Sequence, residues 1–120
     1  MSHVLNGKVV PGMRVGRTLG YPTANVESND PAPSAGVYVA CVAVDTTQYE
    51  GILVVGARQE AGRPLVEVLL LDFDGDLYGK TLTIEVQKHI SDIERFETNE
   101  QLVKKIEEDI KKARTYFATH

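Results

Sequence analysis

Thr23 and Asn25 stand two residues apart behind a proline, at the end of the run Gly16-Arg17-Thr18-Leu19-Gly20-Tyr21-Pro22-Thr23-Ala24-Asn25. Pro22 fixes its own φ and drives Tyr21 toward an extended conformation. In an extended segment, side chains two apart share a face. The Thr23 hydroxyl and the Asn25 carboxamide oxygen would then sit together, and two hard oxygen donors suit a magnesium ion that carries phosphates. Arg17 adds a planar, permanently charged fork that matches phosphate oxygens. Gly16 and Gly20 allow backbone turns that other residues resist. The run reads as a nucleotide-phosphate loop of an unusual type, since neither of the two common glycine-rich phosphate motifs occurs in the chain. The bland alternative is a structural surface loop, because the same residue types build ordinary turns. Composition alone favours that alternative.

A second candidate is Glu67, the only carboxylate between Leu65 and Leu71. Strand alternation puts it on one face with Leu65 and Leu69. A charge on an apolar strand face is costly unless it is paired or wet. Partial burial of a carboxylate makes it a better proton acceptor, so Glu67 is a candidate general base. The alternative is an outward-facing charge on a sheet surface. Asp72, Asp74 and Asp76 recur at every second position, but no bidentate glutamate follows at the calcium-loop spacing. A hairpin turn is the better reading of that cluster.

These groups need elements to hold them. Val4 to Val10 reads as a first strand, ended by Pro11-Gly12. Residues 11 to 35 read as one long irregular connection, and a connection of that length in a small domain is usually functional or disordered. Val37–Val44, Tyr49–Val55, Leu65–Phe73 and Lys80–Lys88 read as further strands, with a hairpin loop at Asp45–Gln48 and a charged loop from Ala57 to Pro64. Thr98-Asn99-Glu100-Gln101 is a capping box. Leu102, Ile106, Ile110 and Ala113 follow as an apolar helical stripe, with Val103 and Phe117 beside it. Five or so strands and one amphipathic helix suggest a mainly β fold, a small antiparallel barrel with the helix packed against it.

The chain has 120 residues, the size of one domain, and residues 1–120 are expected to form one. A formal charge of −4 argues against a nucleic-acid partner, although a local basic patch around Arg14 and Arg17 is not excluded. One cysteine, Cys41, allows no intrachain disulfide and no thiolate metal cluster. His3, His89 and His120 show no zinc-ligand spacing. No apolar run reaches membrane-spanning length and no signal peptide is visible. A cytoplasmic monomer with no membrane partner is the expectation.

The Gly16–Asn25 run resembles the flavokinases, or riboflavin kinases. That family opens with a strand, a glycine-containing turn, then a Gly-Arg-x-Leu-Gly-aromatic-Pro-Thr-Ala-Asn run. Here these are Gly7–Val10, Gly12 and Gly16–Asn25. Gly36-Val37-Tyr38, the stretch Leu65–Val68 followed by Leu71–Lys80, and a tail carrying Phe96, Leu102, Ile106, Asp109 and Arg114 extend the resemblance over nearly all of the chain. It implies a six-stranded Greek-key barrel with a C-terminal helix, and an enzyme that transfers the ATP γ-phosphoryl group to the riboflavin 5′-hydroxyl, giving FMN and ADP. It also implies Glu67 as catalytic base, Thr23 and Asn25 as magnesium and phosphate positions, and Gly12, Arg17, Gly20 and Tyr78 as residues around the nucleotide. The implied small molecules are Mg2+ with ATP, and riboflavin or FMN as substrate and product. With no room for an adenylyltransferase domain, FAD synthesis is not expected of these residues.

The chain departs from the family pattern in two places. Gly56-Ala57-Arg58-Gln59-Glu60 lacks the Pro-Thr that commonly follows the third strand. Ile90-Ser91-Asp92-Ile93 carries Ser91 where the family typically has an arginine near the flavin. The acceptor half of the site is thus the altered half. Two alternatives stay open on that ground: a non-catalytic flavin- or nucleotide-binding module, and a kinase for another small alcohol. Neither strand alternation nor a helical stripe persists from His89 to Glu97, and the segment from Lys88 to Glu97 is expected to act as a mobile flap over the acceptor.

Overall fold

The computed structural model describes residues 3–10, 23–60, 63–73 and 75–120. Among these are six strands, β1 (His3–Val10), β2 (Ala24–Ser28), β3 (Gly36–Val44), β4 (Thr47–Glu60), β5 (Arg63–Leu70) and β6 (Thr81–Ser91), followed by helix α1 (Asn99–Thr119). The strands close into a barrel in the order β1-β2-β5-β4-β3-β6, with every neighbouring pair antiparallel. β3, β4 and β5 are consecutive neighbours and β6 returns beside β3, which is the Greek-key arrangement. Closure removes the free edges that an open sheet would expose.

Two apolar layers follow from the strand alternation. Leu5, Val9, Val42, Leu53, Val68, Leu82 and Ile84 fill the barrel interior. Val37, Val39, Ile52, Leu69 and Leu71 form a second cluster with Ala113, against which Ile106, Ile110, Tyr116 and Phe117 of α1 also pack. β3, β4 and β5 are therefore apolar on both faces, which is why Val37–Val44 reads as a nearly continuous apolar run. Thr98 caps α1, its side chain accepting from the Gln101 amide at 3.2 Å. Gln101 answers with its own side-chain oxygen, accepting from the Glu97 amide at 3.0 Å.

The structure corrects the expected elements in three places. The stretch expected to be irregular from 11 to 35 contains β2, a five-residue strand paired on both sides, to β1 and to β5. Its sequence, Ala-Asn-Val-Glu-Ser, has little β propensity of its own, and it is a strand because two neighbours satisfy its backbone. β4 and β5 run on through most of the stretch expected to be a loop at 57–64, with a register irregularity between Val55 and Gln59. Gly56 adopts φ 85° there, a conformation that L side chains rarely take. Finally, β5 and β6 are not neighbours, so residues 71–80 join separate parts of the barrel instead of closing a hairpin. The short hairpin is the one between β3 and β4, where Val44 pairs with Thr47 and Asp45 takes φ 55°.

Candidate active site

Asn25 lies at the centre of β2, between Ala24 and Val26, whose side chains belong to the barrel interior. Its own side chain is therefore on the outer face. Glu67 is placed likewise on β5, between the interior residues Val66 and Val68. The two are direct cross-strand partners. Opposite residues of an antiparallel pair hold their Cβ atoms about 4.5–5.5 Å apart. Val10 flanks Asn25 from β1, and Val54 flanks Glu67 from β4. One row thus runs Val10–Asn25–Glu67–Val54 around the outside of the barrel.

Both polar members of this row are buried, each with 7% of its surface exposed. Buried polar side chains are normally hydrogen-bonded. The Asn25 Oδ1 is fully buried and has no hydrogen-bond partner among the described residues. An acceptor oxygen held ready beside a carboxylate suits a cation or a donor arriving with a ligand. Thr23, which immediately precedes β2, is half-buried.

Tyr78 is exposed, and its amide donates to Asp76 Oδ1 at 2.9 Å. The next residue, Gly79, has φ 77° and donates its amide to the Val9 carbonyl at 3.2 Å. That bond ties the Tyr78-Gly79 turn to the end of β1, beside the Val10–Asn25 pair. Gly12, Arg17 and Gly20 lie outside the described residues, as does Asp74. The other two aspartates of that cluster have structural tasks. Asp72, at φ 58°, accepts from both Nη atoms of Arg114 at 3.1 and 3.2 Å, and Asp76 forms the turn just described. No set of His, Cys, Asp and Glu side chains suited to hold a metal occurs among the described residues.

The family model of the flavokinases, described as riboflavin kinase, matches residues 1–117. The chain belongs to the flavokinase family. A bifunctional riboflavin kinase/FMN adenylyltransferase of Bacillus subtilis is 33% identical over 97% of the chain and 39% of its own length. The protein of the same name from Pseudomonas fluorescens is 36% identical over 93% of the chain and 37% of its length. A solved structure from Streptococcus pneumoniae, named a macrolide-efflux protein, superimposes with a TM-score of 0.86 at 34% identity, over 92% of this chain and 38% of that one. The chain thus spans about two-fifths of the length of these relatives. The flavokinase barrel with its C-terminal helix, expected from the resemblance, is the fold observed.

Sequence reasoning named one polar group only as part of the resembling tail and gave it no task. Asp109, on the apolar face of α1, is 5% exposed, and its carboxylate is bound to Ser91 and Lys105. A carboxylate at helical spacing among Ile106, Ile110 and Ala113 was the available signal. In addition, β6 extends to Ser91, so the first residues of the expected flap are strand, and only residues 92–98 connect β6 to α1. No helix among the described residues is long and apolar enough to cross a membrane.

Proposed function

We propose that this chain transfers the γ-phosphoryl group of MgATP to the 5′-hydroxyl of riboflavin, releasing FMN and ADP. The observation that carries the reading is the buried pairing of Asn25 with Glu67 on adjacent strands, with the Asn25 Oδ1 awaiting a partner. Family membership supplies the substrates, since the relatives carry riboflavin kinase in their names.

Thr23 Oγ1 and Asn25 Oδ1 act as the oxygen donors toward the nucleotide's metal. The magnesium ion, bound with ATP, neutralises charge on the transferring phosphoryl group. The family resemblance assigns Gly12, Arg17 and Gly20 to the nucleotide's phosphates, and Tyr78 to the nucleotide at the β1 end. Glu67 accepts the proton of the acceptor hydroxyl while that oxygen attacks the γ-phosphorus. The bond from the γ-phosphorus to the β–γ bridging oxygen breaks, and ADP leaves. Burial of Glu67 keeps water from competing with the acceptor.

The test is incubation with ATP, magnesium and riboflavin, with chromatographic detection of FMN. Glu67→Gln preserves shape and removes the base, so turnover should fall by ~100- to 10,000-fold. A variant within about threefold of the parent, only ~0.7 kcal/mol of barrier, would remove Glu67 from this role.

A further inference from the structure

In the reading above, Asn25 acts where it faces Glu67, so the register of β2 decides the site. The side-chain pattern of β2 does not fix that register by itself. Ala24 and Val26 face the barrel interior, and Asn25 faces outward between them. A one-residue slip would reverse every side chain. A two-residue slip would keep each side chain on its own face, because the period of a strand is two. Asn25 would then stand opposite Leu65 or Leu69 instead of Glu67. Something other than the apolar pattern must exclude that slip.

Two features of the seam between β1 and β2 do so. The first is a clamp at the end of the ladder, whose last pair is Gly7–Ser28. Beyond it, both backbone groups of Asn6 are taken by side chains. The Asn6 amide donates to Asp30 Oδ2 at 2.7 Å, and the Ser28 hydroxyl donates to the Asn6 carbonyl at 2.6 Å. The Asp30 amide donates to Ser28 Oγ at 3.1 Å, which joins the two jaws. Asn6 is held from the other side as well, where the Thr83 hydroxyl of β6 donates to its Oδ1 at 2.9 Å. A two-residue slip would carry Ser28 and Asp30 about 7 Å along β1 and break both bonds to Asn6. The second feature is Gly7, the one glycine of β1. A Cβ there would lie 2.5 Å from Val26 Cγ1 and 2.8 Å from the Glu27 carbonyl oxygen. The missing side chain is the notch that receives Val26.

We propose that Asp30 and Ser28 are positioning residues for the nucleotide end of the site, acting through the register of β2. Neither belongs to the row of Asn25 and Glu67. They keep the in-register strand populated, so that the Asn25 carboxamide stands opposite the Glu67 carboxylate before a ligand arrives. A ligand that binds only the in-register strand loses apparent affinity in proportion to the fraction that is out of register. This inference rests on MgATP meeting Asn25, as proposed above.

Asp30→Ala removes the acceptor of the Asn6 amide. Loss of that charge-assisted hydrogen bond should raise the KM for MgATP about tenfold at saturating riboflavin. Saturating MgATP draws β2 back into register, so kcat should stay within about twofold. Asp30→Asn keeps an acceptor oxygen and should recover most of the loss. NMR reads the register directly. Val9 directs its amide and carbonyl to Lys80 and Gly79, away from β2, so Val9 and Val26 form a close pair without mutual hydrogen bonds. The contact between their α-protons should lose most of its intensity in Asp30→Ala, and return in Asp30→Asn or when MgATP is added. A merely structural role would lower Tm and leave the KM for MgATP unchanged. That result, an Asp30→Asn variant as impaired as Asp30→Ala, or an Asp30→Ala variant with the Val9–Val26 contact intact would overturn the proposal. A parent protein that binds no MgATP would instead overturn the nucleotide reading. The Val9–Val26 contact in the three proteins then still decides the clamp: lost in Asp30→Ala and kept in Asp30→Asn supports it, and unchanged in both overturns it.

Discussion

At the scale of single residues, Asn25 carries a buried acceptor with no hydrogen-bond partner among the described residues. A buried polar atom left without its hydrogen bond costs about 1–3 kcal/mol. Asn25→Val removes that cost and suits the middle of a strand. The variant should melt at the parent's temperature or above it, yet lose the stabilisation that MgATP confers. Scanning calorimetry with and without MgATP checks both halves, and a destabilised variant that still responds to MgATP would contradict the assignment. Cys41 shows the opposite case, a residue kept inert. Burial raises its pKa, and Glu85 and Glu50, its direct cross-strand neighbours, raise it further. The thiolate is the reactive species. Cys41 should therefore react with a disulfide reagent at mildly alkaline pH more slowly than free cysteine does, as thiol titration would measure.

At the scale of elements, α1 is the piece whose placement matters most for the site. Its apolar stripe packs into the cluster of Val37, Val39, Ile52 and Leu69, which also takes in Val54, the cross-strand partner of Glu67. The Thr98 cap sets its start, and Thr98→Ala should cost about 1 kcal/mol, or a Tm lower by about 4 °C. Arg114 ties its later turns to Asp72 after β5. The Arg114 guanidinium holds the Asp72 carboxyl below its ordinary 3.8, first through the hydrogen bonds and then through its charge. A depressed carboxyl pKa means that the unfolded chain takes up the proton more readily than the folded one. The pair's contribution is thus fully present above 3.8 and is lost as pH falls through the folded-state value. Arg114→Gln should melt slightly below the parent at neutral pH, and the two melting curves should converge as the pH falls below the lowered Asp72 value. Because the pair is exposed, the neutral-pH difference should be small and should shrink with added salt.

For the whole molecule, closure of the barrel makes the site a product of distant chain segments. β2 and β5 meet only because β3, β4 and β5 fold back as neighbours and β2 inserts between β1 and β5. A ligand that bridges Asn25 and Glu67 binds the folded barrel and not the unfolded chain. At a hundred times its Kd, MgATP should stabilise the protein by about 2.7 kcal/mol, raising Tm by roughly 10 °C. The shift should vanish when a chelator removes magnesium, because the proposed oxygen donors act through the metal. A chelator-insensitive shift of the same size would show that these donors hold the nucleotide without it.

Much of this protein was legible without coordinates. The strands β1, β3 and β6 and the capped helix follow from alternation and helical spacing, because each buries one or two continuous faces whose period survives in the sequence. The Gly16–Asn25 run and Glu67 marked the candidate chemistry through residue type and spacing, and the family resemblance named it. The sequence alone did not reveal β2. Ala24–Ser28 is a strand only by virtue of pairing on both sides, and that pairing is what sets Asn25 opposite Glu67. Nor did it reveal that residues 71–80 cross the barrel, since strand order depends on contacts between segments far apart in the chain. The triangle of Ser91, Lys105 and Asp109 was decided the same way. Helical spacing could put Lys105 and Asp109 one turn apart, but only the docking of α1 on the barrel brought the end of β6 to them and partly buried the three side chains together.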